Sequence, residues 1–351
     1  MTDLSNRPPG RSEPVAKKRV VRSQDVADQA GVSRTTVSLV LNHHDASIPE
    51  KTRQKVIKAA DDLGFVPSAA GRVLQRGRGT VVLCLTVDSE PSLKADEATN
   101  VLSRSLHDRG LTCLFSKTAG STTPLKQLLE EITPSVVVPF FQLSNEDKDL
   151  LKRLHIPLVE FFRPSRKKYN GLPPVELFGD FQESVGAQQA GYLMDKGCER
   201  IAYVGTTTSS NSAICGSRLA GVRRGLAAGG RNLVLNANIS LHDHGQSADA
   251  LVNCLVENKC DGVCVYNDQL AALLISRVKD KGIEIPRGLR IIGVDNDPIA
   301  AYLQPSLTSI DYDNVVFAYI DAIVEASGCG DNLGKTLNHT PRIWVVERQS
   351  A

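Results

Sequence analysis

Arg34, Thr35, Thr36 and Ser38 stand together in one short stretch, and their side chains carry the chemistry of base recognition. An arginine guanidinium matches the paired acceptors of guanine, while a threonine hydrogen-bonds a base edge or lays its methyl against that of thymine. Val37, Val40 and Leu41 fall among them at helical spacing, so the polar side chains face outward and the apolar ones face a core. Ser33 stands where such a helix is capped, and Asn42 where it closes. An ordinary solvated helix would use similar residues, so the surrounding elements decide.

Patterns for catalysis are missing from the sequence. It holds no Walker loop, no G-x-G-x-x-G after the first strand, no H-E-x-x-H pair and no G-x-S-x-G elbow. His43-His44-Asp45 and His242-Asp243-His244 fall in polar loops and are expected to be solvated. The eight cysteines form no C-x-x-C pair. Cys84, Cys113 and Cys264 sit in apolar runs, and Cys254, Cys260 and Cys264 are not spaced as zinc ligands. Structural thiols in a reducing cytoplasm fit this usage, with no metal or cofactor and no enzyme activity expected.

The elements that would position Arg34 come next. Ser23 is expected to cap a first helix carrying Val26, Ala27 and Ala30 and ending at Gly31. Ala27, Gly31, Val32 and Val37 then supply the small residue, turn and anchors of a helix–turn–helix, whose second helix meets base edges in the major groove. A third helix runs from Pro49-Glu50 through Val56, Ile57, Ala60 and Leu63 to Gly64. After Pro67-Ser68 comes a short amphipathic stretch containing Arg72, Leu74 and Arg76, too short to hold as an isolated helix in water. Residues 1–20 are expected to be a disordered arm, whose Lys17-Lys18-Arg19 cluster suits phosphate contacts or mere solubility.

The 351 residues carry a formal net charge of +2. Residues 1–78 nevertheless hold 14 Lys and Arg against 8 Asp and Glu, a basic front on an acidic remainder. No apolar run approaches the roughly 18 residues of a membrane span, and the first ten residues lack the apolar stretch of a signal peptide. A cytoplasmic protein with no membrane partner is expected.

From Thr80 onward, apolar runs alternate with amphipathic segments. Strands are expected at Val81–Val87, Leu111–Phe115, Val136–Phe140, Leu158–Phe162, Ile201–Val204, Leu233–Asn236, Gly262–Tyr266, Ile291–Val294 and Ile343–Val346, with helices between most of them. That rhythm implies parallel sheets with helices on both faces, arranged as two doubly wound lobes.

The run from Asp25 to Asn42, with Glu50–Val56 and Leu63–Ser68, closely resembles the headpiece and hinge of the lactose/galactose repressor (LacI/GalR) family. A looser likeness extends to the C-terminus. The resemblance implies a small all-α headpiece, residues 21–66, a hinge helix and linker, 67–79, and an α/β two-lobed domain of periplasmic-binding-protein type, 80–351. Its first lobe would take about 80–176 and 311–330, its second about 177–310 and 331–351. It also implies a homodimeric transcriptional repressor on a palindromic double-stranded DNA operator. Ser33, Arg34, Thr35, Thr36, Ser38, Leu39 and Asn42 would then touch DNA, with Arg72 at a phosphate and Leu74 wedged in the minor groove. Arg218 and Asp295, with Asn267 and Asp268, would hold a small-molecule effector such as a sugar or nucleoside.

The sequence departs from the family in places. Leu39 replaces a frequent polar reader, and Asp88-Ser89-Glu90-Pro91-Ser92-Leu93 lacks the usual aromatic. Gly197-Cys198 and Pro134-Ser135 replace other habitual pairs. An atypical effector, or none, fits these losses. The rivals are a small-molecule sensor for which DNA is secondary and a nucleotide-dependent enzyme, the latter disfavoured by the missing phosphate loop.

Overall fold

The computed structural model describes residues 21–43, 48–66, 79–87, 93–119, 125–160, 177–208, 212–313, 315–328 and 341–351. The basic arm and the hinge residues Arg72 and Leu74 lie outside them. Two compact units divide at Gly79/Thr80.

In the first unit, α1 (Ser23–Ala30), α2 (Arg34–His43) and α3 (Glu50–Leu63) share one core. Helices this short are marginal alone, so burial of Val26, Ala27, Val37, Val40, Val56, Ala59 and Ala60 is what holds them. Ser23 was expected as the N-cap of α1, but the cap is Arg22 and Ser23 is the first helical residue. The Arg22 amide donates to the Asp25 carboxylate at 2.7 Å, so an acidic side chain in the first turn reaches back to the cap residue. Gly31 takes φ +68°, a left-handed stop that lets α2 leave steeply, and α2 continues one residue past Asn42.

The second unit holds, among the described residues, a three-stranded and a six-stranded sheet. In the small lobe β1 (Val81–Val87) lies between β2 (Thr112–Ala119) and β3 (Val136–Pro139), all parallel. Val82 and Cys84 face α4 (Leu93–His107), whereas Leu83 and Leu85 join the cluster containing Leu125 of α5 (Leu125–Glu131) and Leu151 of α6 (Asn145–Arg153). Both faces are covered, which explains the unbroken apolar run of β1.

The large lobe begins with α7 (Leu177–Asp195), β4 (Ile201–Thr206), α8 (Ser212–Ala228), β5 (Leu235–Ile239) and α9 (Gln246–Glu257). It continues through β6 (Gly262–Val265), α10 (Asp268–Asp280), β7 (Arg290–Val294), α11 (Ile299–Tyr302) and β8 (Thr308–Tyr312). α12 (Phe317–Ser327) then packs in the small lobe, and β9 (Ile343–Val346) returns to the large one. The sheet order is β5-β4-β6-β7-β8-β9, parallel except for β9. Val315 is buried in the large-lobe core and Val316 in the small-lobe core, so the chain changes lobes across one peptide bond.

Two strand expectations shift, and one strand was not expected. The strand expected at 233–236 forms at Leu235–Ile239, and the described part of 158–162 makes a single bridge, Leu158 with Val137. Thr308–Tyr312, where the apolar pattern predicts no strand, forms the interior strand β8. Its polar side chains hid it. Thr308 Oγ1 accepts from the Arg348 amide at 2.9 Å and Ser309 donates to Asp268, so both are buried without an unmet hydrogen bond. Among the described residues, no helix is long and apolar enough to cross a membrane.

Candidate functional site

Two groups of side chains have the chemistry of recognition, one in each unit. On α2, Ser33 caps the helix: its Oγ accepts from the Thr36 amide at 3.1 Å and lies 2.9 Å from the Thr36 hydroxyl. Thr36 is thereby half-buried and committed to the cap, while Arg34 and Thr35 are exposed. Arg34 Nε donates to Ser23 Oγ of α1 at 3.1 Å. Ser23 thus orients the guanidinium rather than capping its own helix, a role that sequence reasoning missed. Ser38 and Leu39 lie half-buried further along, and Asn42 is in the last turn.

The second group is assembled by close helix packing. A Cβ on Gly186 of α7 would stand 2.0 Å from the Arg218 carbonyl oxygen, and one on Gly221 of α8 would stand 1.9 Å from that of Glu183. Only glycine permits this approach. It brings Arg218, 3% exposed, against α7, where its Nε donates to Gln182 Oε1 at 2.7 Å. Nη1 donates to the Tyr266 carbonyl, and Nη2 lies 3.4 Å from Asp295 Oδ1. The guanidinium carbon also stands 4.9 Å from the centre of the Tyr266 ring. Burial opposes its charge, but Asp295 and the surrounding tyrosines outweigh that and hold its pKa above the ordinary arginine value.

Asp295 follows the last residue of β7, at φ +100°, and Asn296 beside it takes φ +49°. Two adjacent non-glycine residues with left-handed backbone store strain of about 1–3 kcal/mol each, a state that persists only when neighbours fix it. Those neighbours are visible. The Asp295 amide donates to the Ile310 carbonyl at 2.9 Å, and the Asn296 amide to Ser309 Oγ at 3.0 Å. The Tyr312 hydroxyl donates to Asp295 Oδ1 at 2.9 Å. Burial and then the Asp295 charge push the Tyr312 pKa well above that of a free phenol, so the proton stays on the tyrosine. Phe181 meets the Tyr312 ring edge-on at 5.3 Å.

The structure therefore brings Arg218 and Asp295 together and places Asn267 and Asp268 behind them. Asn267 caps α10, its Oδ1 accepting from the Leu270 amide at 3.0 Å. Asp268, 1% exposed, accepts from the Ser309 hydroxyl at 2.8 Å and the Asp297 amide at 2.7 Å, bracing the strained loop. Burial, followed by the Asp295 charge, raises its pKa well above the usual carboxyl value. Gln182, Tyr266 and Tyr312 were not foreseen. Gln182 and Arg218 meet only through helix packing, and no motif marks either tyrosine. Among the described residues, no group of three or more His, Cys, Asp or Glu is placed to hold a metal.

Known proteins share this organisation. Residues 24–68 match the family described as bacterial regulatory proteins, lacI family, and residues 190–350 match a periplasmic binding protein-like domain. The HTH-type transcriptional repressor PurR of Vibrio campbellii (strain ATCC BAA-1116) is 30% identical over 297 residues, covering 82% of this chain and 85% of that protein. The lac repressor dimer bound to operator and the anti-inducer ONPF superposes with a TM-score of 0.72 at 18% identity, covering 94% of this chain and 98% of that one. The transcriptional regulator CelR in complex with cellobiose gives 0.61 at 19% identity, covering 94% and 100%. The last two likenesses are of fold.

Proposed function

Because the chain belongs to the lacI family of bacterial regulatory proteins, we propose that it is a transcriptional repressor that binds a palindromic operator as a homodimer under small-molecule control. The observation that carries this is the outward face of α2, where exposed Arg34 and Thr35 stand at the helix start and Ser23 orients Arg34. Each copy lays α2 in a major-groove half-site. Ser33 and Thr36 fix the first turn, and Ser38, Leu39 and Asn42 follow along the groove. Leu39 offers only apolar contact, so the base opposite it differs from one read by a polar side chain. Arg72 neutralises a phosphate, and Leu74 enters the minor groove between half-sites.

A two-fold operator calls for a two-fold protein. The lac repressor with the same fold is a dimer on its operator, and here α11 exposes Ile299 (46%) and Tyr302 (81%) as an apolar pair suited to self-association. In the second unit, the Arg218–Asp295 pair sets a donor fork against a carboxylate among aromatic rings. That arrangement suits a ligand with adjacent hydroxyls or a nucleobase edge. An effector that prefers one lobe arrangement shifts the population competent for DNA.

Fluorescence anisotropy on operators selected from random DNA tests the reading. With about 6–10 phosphate contacts, affinity should fall roughly 10³–10⁵-fold between 50 and 200 mM salt. A flat response defeats it. A second reading, a regulator without effector response, has one observation in its favour: Tyr312 already bonds Asp295. Calorimetry against a panel of sugars and nucleosides decides, since heat with no member of the panel favours the second reading.

A further inference from the structure

Lys94, in the first turn of α4, is the small lobe's reach into the large one. Its Nζ lies 2.7 Å from Asp311 Oδ1, donates to the Tyr312 carbonyl at 3.1 Å and stands 5.3 Å from the centre of the Tyr312 ring. Glu97, one turn along α4, is farther, at 3.6 Å. The lysine and Asp311 side chains are 18% and 14% exposed, so water and salt screen the pair less than they would a surface pair.

The two residues that hold Lys94 are consecutive on β8, and each continues to one of two consecutive residues of the strained loop. Asp311 Oδ2 accepts from Asn296 Nδ2 at 3.0 Å, and Asn296 Oδ1 accepts from Arg348 at 2.7 Å. The Tyr312 hydroxyl reaches Asp295, which carries the contact to Arg218. One ammonium is thus tied by two parallel routes to both left-handed residues. Asp311 and Tyr312 thus hold the side chains of both loop residues at once.

We propose that Lys94 is an interlobe latch, and that Asp311 and Tyr312 make the lobe contact and the Arg218–Asp295 pair a single coupled element. Loosening either end loosens the other. A molecule that takes over Asp295 Oδ1 displaces the Tyr312 hydroxyl and weakens the hold on α4. Removing the lysine frees Asp311 and lets the 295–296 loop relax.

Coupling between two sites is reciprocal and commonly worth fivefold or more in an equilibrium, so the test runs in both directions. It uses hydrogen exchange on the full chain without DNA or ligand, and its outcome is independent of operator binding. Lys94→Met keeps the length of the side chain and removes its charge. It should speed exchange of the Asp295 and Asn296 amides about fivefold or more. Tyr312→Phe keeps the ring and the carbonyl and removes only the hydroxyl. It should speed exchange in residues 97–100 of α4 by a comparable factor. Unchanged exchange in β4 and β6 reports an intact large lobe in both variants. The proposal is overturned if Lys94→Met alters only α4 and residues 311–312, or if Tyr312→Phe alters only the large lobe. If Lys94→Met fails to fold, Tyr312→Phe alone decides by the same criterion.

Discussion

Arg34 meets its orienting partner on another helix, so in the proposed docking base reading and headpiece folding share one hydrogen bond. Arg34→Ala should weaken binding to the selected operator by about 1–3 kcal/mol. Binding to scrambled DNA at the same salt should change far less, because a base contact carries specificity and a phosphate contact does not. Ser23→Ala should give a smaller loss of the same kind, and equal losses on both DNAs would assign Arg34 to a phosphate. Asp268 allows a prediction about pH. Its folded-state pKa is raised, so the folded protein retains a proton that the unfolded chain has already released. Stability from this group therefore falls as pH rises from the ordinary aspartate value, about 4, up through the elevated one. Asp268→Asn should flatten that fall in melting temperatures measured across pH, and an unchanged slope would mean the carboxylate is charged in the folded state. At this scale the sequence was half legible. The family resemblance singled out Arg218 and Asp295, whereas the side chains that saturate them come from distant elements whose packing no linear spacing encodes.

The α7–α8 contact shows what an element can conceal. Neither helix has a strong apolar stripe, because the surfaces that meet are made of glycine and backbone rather than large side chains. Gly186→Ala would drive a methyl into the Arg218 carbonyl. It should cost about 1–3 kcal/mol, as overpacking does elsewhere, and should displace Arg218 from Gln182 and Asp295. Chemical denaturation reads the first effect. The second appears as altered hydrogen exchange at the Asp295 and Asn296 amides. A variant as stable as the parent would show that the helices can part without loss. Elements with regular patterns were readable, among them the three headpiece helices, two of them with glycine stops, and the apolar strands β1, β4, β6 and β7. β8 was not, since burial between β7 and β9 satisfies its Thr and Ser with hydrogen bonds instead of hydrophobicity. α6 carries a weak signal for the opposite reason. It is polar over most of its surface and buries Leu151 alone in the cluster beneath it.

For the whole molecule, the proposed dimer makes Tyr302 informative, since an 81% exposed tyrosine beside a 46% exposed isoleucine contributes little to a monomer. Tyr302→Asp should shift sedimentation velocity toward a single copy while leaving the melting of the monomer nearly unchanged. A dimer of undiminished strength would place the interface elsewhere. The passage of the chain between lobes at Val315 and Val316 bears on how the protein is made. Val316, Tyr319, Ile320, Ile323 and Val324 supply five of the twelve buried residues in the cluster that closes one face of the small lobe. A ribosome delivers β1, β2 and β3 early, but it must synthesise β4 through β8 before those five side chains arrive. The first lobe to emerge is therefore among the last to finish. Until then α4 alone covers that face of its sheet, and the part left open is the kind of nascent surface that chaperones shield.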